Sequence, residues 1–251
     1  MKERLYRFKR NIQKKIDSFL FQYGNNRYAI AFRQRNGKAL YENGCSGDGF
    51  ILIKSTFRYW MADPFLIKHN GVNYLFAELY DKKHSKGVIG YAKLKGNRCG
   101  RFHICLREKY HLSYPCVFHR DGKIYMIPET ADNKEAALYE ALDFPKRWKK
   151  VRTVCGQACV DTTPFRYQNE NYYFTTIVNE HSSDDSLFLI NEKSGECKPL
   201  LKDSLRLRSA GNVIFEKDGM IYSIKIKTIE SENTEQVQAD FEKLIDCIKI
   251  K

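Results

Sequence analysis

Four carboxylates sit inside apolar runs of this 251-residue chain: Asp63 in WMADPFLI, Glu78 in YLFAELY, Glu129 in IYMIPET and Asp161 in CVDTTPF. Polar side chains are costly to bury without partners, so these placements need a reason. Carboxylates that share a site can give and take protons when their surroundings push their pKa values apart. Trp60, His111, Ser113, Tyr114 and Thr163 lie in or beside the same kind of segment, and Arg208 opens RSAGNVIF. An arginine among them would suit an anionic group such as a phosphate or uronate, which its planar fork grips with two hydrogen bonds. Each residue also has a plainer reading. Asp63, just ahead of Pro64, could cap a turn. Glu78 and Glu129 could form ion pairs with Arg or Lys, and Asp161-Thr162-Thr163 could hydrogen-bond its own backbone.

The elements that must position these residues repeat. YWMADPFLIKHNGVNYLFAE (59–78) returns as YHLSYPCVFHRDGKIYMIPE (110–129). Pro64 and Pro115 are each followed ten residues later by a tyrosine, Tyr74 and Tyr125, and fourteen later by Glu78 and Glu129. A third copy, DTTPFRYQNENYYFTT (161–176), has a turn two residues shorter when aligned on its proline. A fourth, SAGNVIFEKDGMIYSI (209–224), holds Asn212 in the proline's place. Periods of about 50 residues belong to arrays, solenoids and propellers.

Each copy reads as a β-hairpin. Its runs are rich in Phe, Ile, Val and Tyr and too short for helices, and they are joined by HNG, RDG, QNEN or EKDG. Asn-Gly and Asp-Gly supply the two positive-φ residues of a tight hairpin turn. Third strands follow at 87–94, 136–142 and 185–191, and a fourth at 101–107. Four-stranded units at this period predict an all-β, five-bladed β-propeller over 23–251, with blades starting near residues 60, 111, 160 and 208. The fifth blade is expected from the two ends, with RYAIAFR (27–33) pairing with strands from QVQADFEKLIDCIKI. The innermost strand of each blade would line one funnel. Trp60, Asp63, His111, Ser113, Tyr114, Asp161, Thr163 and Arg208 would face it, with Glu78 and Glu129 at its wall.

The net charge of +13 is spread over loops such as KKHSK, KLKGNR and KRWKK and comes with no nucleic-acid motif, so nucleic acid is not the expected partner. The first twenty residues differ: seven Lys/Arg stand against two acids, and Leu5, Phe8, Ile12, Ile16 and Phe19 fall on one helical face. A basic amphipathic helix over 1–22 is predicted, either packed on the propeller rim or adsorbed to an anionic membrane face. There each basic residue adds about 1 kcal/mol. No apolar run approaches the roughly 18 residues of a spanning helix, and the start is too charged for a signal peptide. The expectation is a cytoplasmic protein with peripheral contact at the inner membrane face. Eight cysteines without a CxxC pair predict free thiols, no metal and no cofactor. Aromatic residues make up 14% of the chain, which suits both blade packing and a sugar-binding surface.

WMADPFLI (60–67), KGVIGYAKL (86–94), YHLSYPCVF (110–118), KIYMIPET (123–130), LYEALDFPKRW (138–148) and VDTTPF (160–165) resemble the N-terminal domain of glucosamine inositolphosphorylceramide transferases. RSAGNVIF (208–215) resembles that family's Arg-Pro-Ala-Gly motif, with Ser209 in place of proline. The resemblance spans about residues 55–225. It implies a five-bladed propeller related to glycoside hydrolase families 43 and 32. In the plant enzymes sugar transfer belongs to a separate glycosyltransferase domain, for which this chain has no room.

By the same resemblance, Asp63 matches the base of the family 43 Ala-Asp-Pro motif, and Asp161 lies near the aspartate that tunes the acid. The acid is a glutamate opening blade four; here that place reads Arg208-Ser209-Ala210-Gly211. Glu129 is a candidate substitute, since inversion needs two carboxyls about 6.5–9.5 Å apart. Two functions follow. One is a carbohydrate-recognition propeller in surface-glycan or glycolipid assembly, binding a glycan, glycolipid or sugar nucleotide beside a partner glycosyltransferase. The other is a glycosidase-like enzyme using Asp63 with Glu129 or Glu78 on an anionic or nucleotide-linked sugar.

Overall fold

The computed structural model of the chain describes residues 28–32, 50–179, 186–201, 213–217 and 220–224. Every regular element among them is a β-strand, apart from one 3-10 turn at Ala131–Asn133. The helix expected over 1–22, the C-terminal strands and Arg208 lie outside the described residues. The chain divides into two compact units, Met1–Ser113 and Tyr114–Lys251.

In the first unit, β1 (Ile30–Phe32) pairs with β2 (Ile51–Ile53). The main sheet runs β3 (Tyr59–His69), β4 (Val72–Asp81), β5 (Lys86–Lys95) and β6 (Arg98–Cys99), and β7 (His103–Leu106) also pairs with β5. Asn70 and Gly71 join β3 to β4 with φ of 47° and 76°, the conformation a two-residue hairpin demands. Residues 74–79 of β4 are all buried, so this central strand is covered on both faces. Ile30, Met61, Leu75, Ala77, Leu79 and Val88 form the core against which Ile53, Tyr59 and Leu94 pack. A fully buried Leu, Ile or Met contributes about 1.5–3 kcal/mol.

The second unit holds two four-stranded antiparallel sheets and a hairpin. The first sheet orders β11 (Arg147–Cys155), β10 (Glu135–Asp143), β9 (Lys123–Thr130) and β8 (Ser113–Arg120); the second orders β12 (Cys159–Tyr167), β13 (Glu170–Ile177), β14 (Leu187–Asn191) and β15 (Cys197–Leu201). Strands β16 (Val213–Lys217) and β17 (Met220–Ile224) form the hairpin of the fourth copy. Ile127 and Leu138 of one sheet meet Tyr173 and Ile190 of the next. A polar cluster spans the same junction. Glu192 accepts hydrogen bonds from Arg120 (3.0 Å) and from the Tyr173 hydroxyl (2.8 Å) and pairs closely with Arg152. Charged side chains on β11, an edge strand, deter pairing with another chain.

One alignment from the sequence is corrected by the strand register. Aligned on proline, Pro164 matches Pro64 and the third turn is two residues short. The hairpins themselves close identically: His69 pairs with Val72 and Tyr167 with Glu170, each across a two-residue turn. Counting back from the turn puts Asp161 at the position of Asp63 and Thr162 at that of Pro64. Both strands bulge there, between Ala62 and Phe65 and between Val160 and Thr163. The turn fixes the register, and the proline is free to move along the strand.

Candidate ligand-binding site

The equivalent positions share an unusual backbone. Asp63, Tyr114 and Asp161 have φ of 49°, 44° and 51°, and each stands six residues before the last residue ahead of its turn. By the same count the fourth copy carries Gly211, the residue type that accepts positive φ most cheaply. Aspartate tolerates this region; for a bulky tyrosine it is a genuine outlier. Such strain costs about 1–3 kcal/mol per residue and persists only where the surroundings over-determine it.

In the first unit the bulge sits beside an aromatic and acidic group. Ala62, next to Asp63, pairs with Glu78, and Trp60 pairs with Tyr80 two residues along each strand. Trp60 and Tyr80 stack with ring centroids 4.5 Å apart, Tyr28 lies 5.5 Å from Trp60, and His111 lies 6.2 Å from Tyr80. Glu78 is 5% exposed, and its Oε1 lies 3.4 Å from His111 Nε2. The Gly87 N–H donates to His111 Nδ1 at 3.0 Å. That nitrogen therefore carries no proton, and the ring proton sits on Nε2, facing Glu78. Gly87 is opposite Tyr80, and a Cβ there would lie 2.2 Å from the Leu112 carbonyl oxygen and 2.9 Å from His111 Cε1. Only glycine leaves room for this imidazole. Ser113, buried, follows two residues after His111.

In the second unit Tyr114 and Thr163 meet. Thr163 Oγ1 donates to the Asp161 carbonyl at 3.1 Å, so its single proton is used. The Tyr114 hydroxyl, 2.7 Å away, is then the donor to Thr163. Thr175 in turn donates to the Val160 carbonyl at 3.1 Å, leaving Thr162 as donor to Thr175 at 2.9 Å. Two hydroxyl relays thus satisfy the carbonyls on either side of the bulge and hold Asp161 in its positive-φ conformation. Self-bonding of Asp161-Thr162-Thr163 is present, and it positions the aspartate, which remains half-buried. Glu129, also half-buried, closes β9 opposite Ala136.

Three groups were not anticipated from the sequence. Tyr80 and Gly87 complete the surroundings of Glu78. Asp81, fully buried, takes the Arg58 guanidinium at 2.8 Å, His84 Nδ1 at 2.9 Å and the Lys83 N–H at 3.1 Å. The Arg58 hydrogen bond outweighs the cost of burial and holds its carboxyl far below the usual range. Burial works against ionisation of Glu135, but Lys150 at 2.6 Å, Thr153 and Asn133 together keep its carboxyl low. The Asp81-Lys83 turn geometry is the one signal a sequence offers for such a cluster. Among the described residues no group of His, Cys, Asp or Glu is arranged to hold a metal ion, and no helix is long and apolar enough to cross a membrane.

A family model described as glucosamine inositolphosphorylceramide transferase 1, N-terminal, matches residues 52–194, more than half of the chain. The chain belongs to that family. Glucosamine inositolphosphorylceramide transferase 1 of Arabidopsis thaliana is 39% identical over 106 residues, 41% of this chain and 14% of the plant protein. Its counterpart from Oryza sativa subsp. indica is 32% identical over 124 residues, 49% of this chain and 17% of the rice protein. The chain thus corresponds to less than a fifth of these relatives. Among solved structures, Zg3597, a family 117 glycoside hydrolase from Zobellia galactanivorans, superposes with a TM-score of 0.50 at 15% identity, covering 79% of this chain and 68% of that one. That likeness concerns the fold alone. The family's matched stretch carries both aspartates, Tyr114, Glu78, Gly87 and His111.

Proposed function

We propose that this member of the family is a carbohydrate-recognition domain serving surface-glycan or glycolipid biosynthesis. The observation that carries the reading is the recurrence of one positive-φ bulge that places Asp63 and Asp161 at the same step of the first strand of their sheets. Backbone strain of this kind clusters at binding and catalytic sites. Asp63 stands three residues along β3 from Trp60, and a carboxylate acceptor on an aromatic-rich strand suits sugar hydroxyls. The name of the plant relatives supports a sugar or glycolipid ligand, and the repeat supports a five-bladed propeller closed by the two ends. A glycosyltransferase is the partner such a domain would serve, and residues 1–20 are proposed to rest on an anionic membrane face at the cytoplasmic side.

A second reading, a glycosidase-like enzyme, is favoured by the equivalence of Asp161 with Asp63, which gives the chain two carboxylates in corresponding places. Binding of a panel of glycans and sugar nucleotides, followed by titration calorimetry, tests the first. Asn accepts positive φ as Asp does, so Asp63→Asn should abolish binding while leaving melting nearly unchanged. A large loss of stability with ligand binding intact would instead make Asp63 a turn cap.

A further inference from the structure

We propose that the loops joining β2 to β3 (residues 54–58) and β4 to β5 (residues 82–85) together form a docking surface for an anionic lipid membrane, with Phe57 entering the interface. This contact is independent of residues 1–20. Phe57 is 84% exposed, the most exposed large apolar side chain among the described residues. A lone exposed phenylalanine needs no explanation; what singles this one out is its company. Lys54 and Arg58 share its loop, Lys82 and Lys83 stand on the second loop, and Lys86 opens β5. The segment after β7 adds Arg107 and Lys109. These seven cations stand against two acids, Glu108 and the fully buried Asp81.

Hydrogen bonds join the three segments into one surface. The Thr56 N–H donates to the Tyr59 carbonyl at 2.8 Å and the Tyr59 N–H to Thr56 Oγ1 at 2.9 Å, a doubly closed turn that carries Phe57. Lys82 binds on either side of that residue: its N–H donates to the Arg58 carbonyl at 3.0 Å and its Nζ to the Thr56 carbonyl at 3.4 Å. Asp81 grips the Arg58 guanidinium at 2.8 Å and accepts from the Lys83 N–H, so one buried carboxylate fixes both loops. Lys86 Nζ donates to the carbonyls of Glu108 and Lys109 at 2.8 and 3.2 Å, which ties in the third segment. The loops are ordered before any partner arrives, so little entropy is left to oppose docking. An aromatic tip flanked by Lys and Arg matches the boundary of an anionic bilayer, where the ring enters the acyl region and the cations stay among the headgroups. Single-stranded nucleic acid would call for successive stacking rings along a charged groove, and these segments offer Phe57 alone.

Full-length protein is mixed with vesicles of phosphatidylcholine and phosphatidylserine, and separately with phosphatidylcholine alone. Because residues 1–20 are proposed to bind as well, the loop is read directly in Phe57→Trp. The introduced indole should shift its emission to the blue on the anionic vesicles and be quenched by lipids brominated on the acyl chain, with no change on phosphatidylcholine alone. Vesicle partition of Phe57→Ser should fall roughly 10-fold, since a half-inserted ring is lost. That of the double variant Lys54→Gln, Lys83→Gln should fall about 25-fold at low salt, each cation being worth about 5-fold. Melting should stay unchanged, because all three side chains are exposed. An indole that keeps its water-like emission while the protein sediments with the vesicles would overturn the proposal. So would unchanged partition in both loop variants, absence of wild-type binding to the anionic vesicles, or tighter binding to a single-stranded oligonucleotide than to them.

Discussion

Replacing Gly87 by alanine tests the arrangement around Glu78 most directly. The new Cβ would stand 2.2 Å from the Leu112 carbonyl oxygen, 2.8 Å from Glu78 Oε1 and 2.9 Å from His111 Cε1. The nearest of these is backbone, held by the Leu112 N–H bond to the Gly87 carbonyl at 3.1 Å, and cannot swing aside as a side chain would. Overpacking of this kind costs about 1–3 kcal/mol. Displacing the imidazole also breaks the Gly87 N–H bond to Nδ1, about 1 kcal/mol more. The entropy alanine removes from the unfolded chain returns about 0.4–1 kcal/mol. The net loss is roughly 2–3 kcal/mol, or on the order of 5–10 °C in Tm for a chain of this size. Urea unfolding measures the stability, and nitrogen chemical shifts of His111 report its tautomer. The control is Gly71→Ala, where φ is +76° and open space surrounds the position; it should lose only the conformational term, about 1 kcal/mol, with the imidazole unchanged. Equal losses in the two variants, or an unmoved His111 in Gly87→Ala, would refute the reasoning.

Asp81→Ala should cost about 2 kcal/mol at neutral pH, discounted because Arg58 is half-exposed. Since the folded carboxyl is depressed, that stability is fully present above the ordinary carboxylate range and is lost as pH falls through the folded value. The gap between wild type and variant should therefore narrow below about pH 4 in acid titrations of Tm. Thr163→Val removes the middle of the relay, and Tyr114→Phe its first donor, at about 1–2 and 1 kcal/mol. Because they share one chain of hydrogen bonds, the double variant should fall short of their sum by about 0.5 kcal/mol or more; strict additivity would show the relay to be unimportant. On the proposed glycosidase-like reading, turnover should appear only with good leaving groups such as nitrophenyl glycosides or sugar nucleotides and vanish in Asp63→Ala, since the sequence has Arg208 and no carboxylate where the resemblance expects the acid. Robust cleavage of an unactivated glycan that is lost in Glu129→Gln would contradict this.

The repeat, its hairpins and the third strands were legible in the residues themselves, because a two-residue turn and an alternating apolar run are local constraints. Asn70-Gly71 and Asp121-Gly122 announce positive φ by type. Gln168-Asn169 does not, and aligning on proline there misplaced Asp161 by two residues; only the cross-strand register set it level with Asp63. Asp63, Tyr114 and Asp161 were recognisable as polar or aromatic residues at strand starts, but their shared backbone conformation was not, since a lone aspartate outside an Asp-Gly pair does not announce positive φ and a tyrosine argues against it. The partners of Glu78 were invisible for a different reason. His111 and Gly87 are 33 and 9 residues away in sequence, and what joins them is the absence of a side chain on one strand beneath an imidazole on another segment. Composition chooses the strand and the turn; the pairing of strands chooses which side chains meet, because one residue of bulge redirects everything beyond it.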